Sequence, residues 1–310
     1  MPKGRGEGFG KTILFGEHFA VYGLPVIASA IADKTVAVTE PAEKYELIDN
    51  RPATPDYKEK KKGEMERSMN LLLEYMDIDV KRDPVKITLS GNLYCTSGVG
   101  ASAAMATAIA RALSDLYKLN LTDEQINRIA YEAEKATGTP SGIDNTCSTF
   151  GGIIWFVKNM EGGRNTIEAI KMAKPLDIVL ANTGISQDTR TVLEDVRKNK
   201  EADPEKYSRI FNEYRELAYE ARRALEAGDF DKTAELINRN HELLREMTLS
   251  CNEAEKIIKT AKESGAPAGK ITGTGRGGYV ILFTPGKELQ ENVAKAIEKK
   301  GYMVMKTTIG

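Results

Sequence analysis

The chain has 310 residues, enough for two lobes of roughly 150 residues each. Its 41% hydrophobic and 29% charged residues are those of an ordinary soluble globular protein, which excludes a disordered chain, a collagen-like chain and a coiled coil. Lys and Arg number 44 against 45 Asp and Glu, a net charge of −1 that lacks the basic surplus of a dedicated nucleic-acid binder.

Lys11–Phe15 and Thr35–Thr39 read as strands, the second with Val36 and Val38 on one face. The charge run Lys58–Lys62, with Glu59 inside it, reads as a solvated loop or helix face. Glu64–Met76 fits an amphipathic helix with Met69, Leu72, Leu73 and Met76 on one side, and Val85–Leu89 alternates as a strand. Ser102–Tyr117 is Ala-rich without Gly or Pro, which predicts a strong helix. The next helix opens on Thr122 with Gln125 three residues on, a capping box, and runs to about Lys135 before Gly138-Thr139-Pro140 stops it. Ile153–Val157 reads as a buried strand and Leu176–Ala181 as another. Helical patterns follow over Asp188–Lys198, Pro204–Ala227, Phe230–Met247 and Asn252–Ser264. Two strand-like segments, Gly269–Thr272 and Gly278–Phe283, flank a glycine cluster; a helix Lys287–Lys300 and a strand Tyr302–Thr308 close the chain. The change in character places the lobe boundary at 175, giving lobes 1–175 and 176–310. No apolar run approaches 18 residues, Ile13–Phe15 is too short for a signal-peptide core, and Cys95, Cys147 and Cys251 are widely spaced. A reducing cytoplasm is the expected setting, with no membrane and no nucleic acid as partner.

Four stretches carry candidate chemistry. Ser97-Gly98-Val99-Gly100-Ala101-Ser102 puts two glycines and two hydroxyls just before a helix, where free N–H groups suit phosphate; a plain Gly turn capping a helix reads the same way. Gly138 to Asn145 sets Asp144 in a turn leading into a buried strand, either as a positioned carboxylate or as a turn Asp bonding its own backbone. Lys270 to Gly278 holds Gly273, Gly275, Gly277 and Gly278 between strands, for close approach to a ligand or for a tight hairpin. Gly10 to His18 delivers Lys11 before a strand and Glu17 and His18 after it, while His241 reads as structural.

In order and spacing these stretches resemble the motifs of the GHMP small-molecule kinases, and within that superfamily they are most similar to the mevalonate kinase family. Gly10 to Gly23 looks like its opening motif, and Pro140 to Asn145 with Ser148 to Gly152 like its catalytic loop. Asn182 to Arg190 looks like its substrate segment, and Ala266 to Gly278 like its third motif. The resemblance implies an α+β fold of two lobes. The N-terminal, ATP-binding and catalytic lobe would hold a left-handed β-α-β unit, and the C-terminal lobe would be ferredoxin-like with added helices. It implies ATP- and Mg²⁺-dependent phosphorylation of a small alcohol, first (R)-mevalonate, with another small hydroxy acid or polyol, or a silent binding or regulatory relative, as alternatives. Residue by residue it assigns Ser97, Gly98, Val99, Gly100, Ala101, Ser102, Gly275 and Arg276 to ATP. Ser102 and Glu134 would hold Mg²⁺, Asp144 would be the catalytic carboxylate beside Lys11, and Glu17, His18 and Thr189 would line the acceptor side, with His18 a donor. Arg276 stands where relatives have Gly and offers a charged fork for phosphate or the acceptor; Gln187 stands where animal relatives have Arg. The catalytic loop is one residue shorter than in relatives and lacks their His. The partner expected is a small-molecule alcohol, and a homodimer is left open.

Overall fold

The computed structural model describes residues 2–138 and 140–310. Its two compact units are Met1–Lys11 with Ala30–Gly151, and Thr12–Ser29 with Gly152–Gly310. This division differs from a single cut at 175. The first two strands, β1 (Gly4–Phe15) and β2 (Val26–Pro41), run through both units. Residues 153–156 pair with Val26–Ser29, so strand pairing draws the segment after Gly151 into the second unit.

In the first unit β3 (Glu46–Asp49) and α1 (Tyr57–Tyr75) precede β4 (Val85–Gly91). Residues 35–41 of β2 pair antiparallel with β4, and β3 lies parallel on the other side of β4. The helices α2 (Ala101–Tyr117), α3 (Asp123–Glu134) and α4 (Ile143–Phe150) complete the unit. Its core joins Ile87 and Leu89 of β4 to Leu72 of α1, Ile109 and Leu113 of α2 and Ile129 of α3. The capping box predicted for α3 is formed, Gln125 N–H donating to Thr122 Oγ1 at 3.3 Å and Thr122 N–H to Gln125 Oε1 at 2.9 Å. The charge run Lys58–Lys62 belongs to the first turns of α1.

Strand β1 begins seven residues before the predicted start at Lys11, and its glycines explain why. Gly4, Gly6 and Gly8 recur at period two on one face. A Cβ there would sit 2.0 Å from the Ala112 carbonyl oxygen, 2.2 Å from that of Ala108 and 2.2 Å from that of Ala104. The side-chain-free face of β1 therefore receives the backbone of α2 along a small-residue stripe at i, i+4, i+8. Apolar alternation, the usual strand signal, is absent because contact is made backbone to backbone.

Asp144 was expected in a turn before a strand. It lies instead in the first turn of α4, after Gly142, whose φ of 94° is the left-handed conformation that glycine adopts freely. A carboxylate suits that position because the helix N-terminus carries partial positive charge.

In the second unit a 3-10 turn, His18–Tyr22, is held by Phe19 stacked on Tyr214 at 3.7 Å between ring centres. The Tyr214 hydroxyl donates to Pro25 O at 2.7 Å. Strands β5 (Ile153–Val157) and β6 (Thr166–Ile170) form an antiparallel pair, the second not anticipated from sequence. Then come β7 (Leu176–Asn182), α5 (Thr189–Ala202), α6 (Pro204–Ala227), α7 (Phe230–Glu246) and α8 (Asn252–Glu263). The chain ends with β8 (Ala268–Thr272), β9 (Tyr279–Phe283), α9 (Lys287–Glu298) and β10 (Val304–Ile309). The strands run in the order β10-β7-β9-β8, every neighbouring pair antiparallel. This is the ferredoxin-like arrangement, with α5–α8 in place of its first crossover helix. Among the described residues no helix is long and apolar enough to cross a membrane.

Candidate active site

In the first unit the loop before α2 is tied to β1. Lys11 N–H donates to Val99 O at 2.8 Å, and Gly100 takes a φ of 68° as the N-cap of α2. A Cβ at Gly100 would lie 3.3 Å from the Lys11 Cβ, so the loop passes directly over the lysine. No side chain caps this end of α2, which leaves its first-turn N–H groups for a ligand. Val99 and Ala101 are buried and offer backbone rather than side chain.

Lys11 Nζ lies 2.9 Å from Asp144 Oδ1, with side-chain exposures of 8% and 33%. Burial works to lower the Lys11 pKa, but the charge and hydrogen bond of Asp144 outweigh it, and the ammonium is held above its usual value. Glu134, at the end of α3, is pushed up to about 7 by burial and then by the Asp144 charge, against the pull of Ser102 and Lys11. Two carboxylates, one ammonium and the Ser102 hydroxyl thus share one electrostatic neighbourhood.

A cavity of about 240 Å³ opens here, lined among others by Ser97, Gly98, Gly100, Ser102, Glu134 and Asp144. Sequence reasoning missed part of its wall: Arg51, Tyr57, Lys58 and Lys61 also line it. Arg51 is buried, donates from Nη2 to Asp49 Oδ2 at 2.7 Å and from Nη1 to the Ala101 carbonyl at 3.1 Å, and so braces the start of α2. The run Lys58–Lys62 carries no residue-level signal that separates cavity wall from solvated face.

The second unit gathers Glu17, His18, Thr189 and the glycine loop around Thr274. His18 is buried, and its Nε2 contacts the Thr274 carbonyl oxygen. A carbonyl only accepts, so Nε2 carries the proton and is not a donor for an acceptor. Nδ1 is buried and finds no hydrogen-bond partner among the described residues. Burial lowers the His18 pKa, the Thr274 bond opposes this and the Arg276 charge adds to it, so the ring is neutral at pH 7. The hydroxyls of Thr189 and Thr274 are 2.9 Å apart. Gly278 N–H donates to Ile185 O at 2.8 Å, and Thr183 N–H to Gly278 O at 2.9 Å. The substrate-like segment is thereby sewn to the glycine loop, and a Cβ on Gly277 would stand 2.6 Å from Ile185 O.

Two residues are placed otherwise than the sequence suggests. The Glu17 carboxylate does not face solvent: it pairs with Lys270 on β8, the two side chains being 1% and 0% exposed. Burial pushes the Glu17 pKa up and that of Lys270 down. The Arg276 guanidinium is not a free fork either. It holds Asp195 Oδ2 at 2.6 Å through Nη1, and Thr248 through Nε to O at 2.9 Å and Nη2 to Oγ1 at 3.2 Å.

Both units fall in known families of kinase domains. Residues 65–152 match the GHMP kinases N terminal domain, and residues 221–302 the GHMP kinases C terminal domain. The chain is 33% identical over 327 residues to a mevalonate kinase of Thermococcus sibiricus, an alignment covering 96% of this chain and 94% of the relative. To a mevalonate kinase of Pyrococcus abyssi it is 32% identical, with 96% and 93% covered. A crystal structure of the L. major mevalonate kinase in complex with R-mevalonate superposes with a TM-score of 0.94 at 36% identity, covering 99% of this chain and 95% of that one. The chain belongs to the mevalonate kinase family of the GHMP kinases.

Proposed function

We propose that this protein is an ATP-dependent kinase that phosphorylates (R)-mevalonate on its primary hydroxyl. The observation that carries the reading is the Lys11–Asp144 pair beside Glu134 and Ser102, at the open N-terminus of α2. The family supports it, since the similar L. major structure is a mevalonate kinase holding R-mevalonate.

In this reading the ATP phosphates lie along Ser97–Ser102, received by loop and first-turn N–H groups and by the two serine hydroxyls. The Asp144 carboxylate accepts the proton of the acceptor hydroxyl as its oxygen bonds to the γ-phosphorus and the bond to the ADP oxygen breaks. Lys11 keeps its charge and offsets the negative charge gathered around that step. Gly275 contributes the close backbone of the glycine loop. Neutral His18 leaves Nδ1 to accept a hydrogen bond from an acceptor hydroxyl, and Thr189 adds its own hydroxyl. Glu17 supports the acceptor side from beneath, by fixing the chain next to His18 through Lys270.

The residues present fit Mg²⁺. A carboxyl as strongly disfavoured in its charged form as Glu134 regains that charge beside a cation, and the Ser102 hydroxyl that bonds it is a second hard oxygen. When bound, Mg²⁺ supplies charge neutralisation on the phosphates.

The test is ADP release with mevalonate, phosphomevalonate, homoserine, pantoate and several sugars. Mevalonate should give the highest kcat/KM. A value tenfold below that of another acceptor replaces the acceptor and keeps the chemistry, whereas no ADP with any acceptor refutes the kinase reading.

A further inference from the structure

Arg276 and Asp195 take no part in the proposed phosphoryl transfer. Arg276 sits in the glycine loop with a φ of 54°, and the Thr248 it binds has a φ of 62°. Two non-glycine residues in the left-handed region persist only where their surroundings hold them, and such positions gather at functional sites. Here the guanidinium does the holding: one end of its planar fork is on Asp195 and the other on the Thr248 carbonyl and hydroxyl. The Arg276 N–H also donates to Leu249 O at 2.6 Å.

Asp195 lies on α5, six residues after Thr189, about 9 Å along the helix axis at 1.5 Å per residue. Thr274 lies two residues before Arg276. The Thr189–Thr274 hydroxyl contact and the Asp195–Arg276 ion pair therefore pin α5 to the glycine loop at two points, closing a ring. On that ring sit the Thr189 hydroxyl and the carbonyl that fixes the His18 ring. We propose that Arg276, through Asp195 and Thr248, is a positioning residue that locks α5 to the glycine loop and so sets Thr189 and His18 for the acceptor alcohol. The inference rests on the proposed kinase reading for what the acceptor is, and on geometry alone for the lock.

A partly exposed ion pair adds little to overall stability, but a planar fork with three partners fixes orientation. Arg276→Gly also places the residue that best tolerates the local φ, so its effect is not expected from misfolding. The experiment uses the full chain as wild type, Arg276→Gly and Asp195→Ala, with KM for mevalonate and for ATP measured separately. Hydrogen exchange is followed at the amides of residues 189–196. Both variants should raise KM for mevalonate about fivefold or more, leave KM for ATP within about twofold, and speed exchange in 189–196. The double swap Arg276→Asp with Asp195→Arg should recover part of the loss.

An unchanged acceptor KM in Asp195→Ala overturns the proposal. So does a rise confined to the KM for ATP in Arg276→Gly, which would make Arg276 a phosphate ligand. If the wild type turns over another acceptor instead, the acceptor reading fails on the wild-type rates. The lock is then judged on the exchange: faster exchange in both variants supports it, and unchanged exchange overturns it.

Discussion

The Glu17–Lys270 pair permits a worked test, because neither side chain reaches water. In Lys270→Met the Glu17 carboxylate loses its cation, and among the described residues its Oε2 has no hydrogen-bond partner. Breaking a buried pair by removing one partner typically costs about 3–5 kcal/mol. The cost has a ceiling, since the carboxyl can take up a proton instead. From an ordinary Glu pKa, protonation at pH 7 costs about 3.7 kcal/mol, and at pH 5 only about 1 kcal/mol. The sign follows from linkage: with Lys270 gone, Glu17 is neutral when folded and ionised when unfolded above pH ~4.3, so the deficit grows as pH rises. Lys270→Met should therefore lower the thermal midpoint by ~5–10 °C at pH 7 and by only about 1–3 °C at pH 5. Adding Glu17→Gln removes the stranded charge and should recover most of the loss at pH 7. Scanning calorimetry of both variants at the two pH values measures this. A Lys270→Met midpoint within 2 °C of wild type at pH 7, or a double variant no better than the single one, would refute the buried-pair argument.

Asp144→Asn should cut kcat by about 100-fold or more while costing only ~1–2 kcal/mol, because Asp144 is a third exposed and Glu134 remains near Lys11; retention of more than about a tenth of kcat contradicts the assignment. Gly6→Ala drives a Cβ to 2.2 Å from the Ala108 carbonyl and should cost about 3 kcal/mol or more. Gly63→Ala, in an exposed part of α1 where the new Cβ meets only the Arg67 side chain, should instead stabilise by about 0.5–1 kcal/mol; urea melts read both. His241 is pushed down to about 4 by burial, against the pull of Glu255, and His18 is lowered as well. The unfolded chain binds those protons first, so stability should fall as pH drops from ~6.5 towards 4, by up to about 3 kcal/mol for His241. A melting temperature flat over that interval would contradict this.

Local pattern was enough to reveal much of this protein. The capping box at Thr122, the Ala-rich α2 and the helices of the second unit rest on propensity and 3.6-residue periodicity, which act within a few residues. The candidate-site residues Lys11, Ser102 and Asp144 stand in motifs whose glycines and polar side chains already have a chemical reason to be adjacent, whereas Glu134, at the end of α3, is named only through the family resemblance. Tertiary structure decided what depends on partners distant in sequence. The glycine strand Gly4–Gly8 is silent alone, because only the α2 carbonyls lying on it make side-chain absence a packing requirement. Glu17 reads as a polar residue beside His18 until Lys270, 253 positions away, takes it out of solvent. Arg276 reads as a free cation until Asp195 and Thr248 close around it. A residue's type fixes what its atoms can do, but desolvation and pairing decide which of those capacities remains, and both are set by neighbours that only the fold supplies.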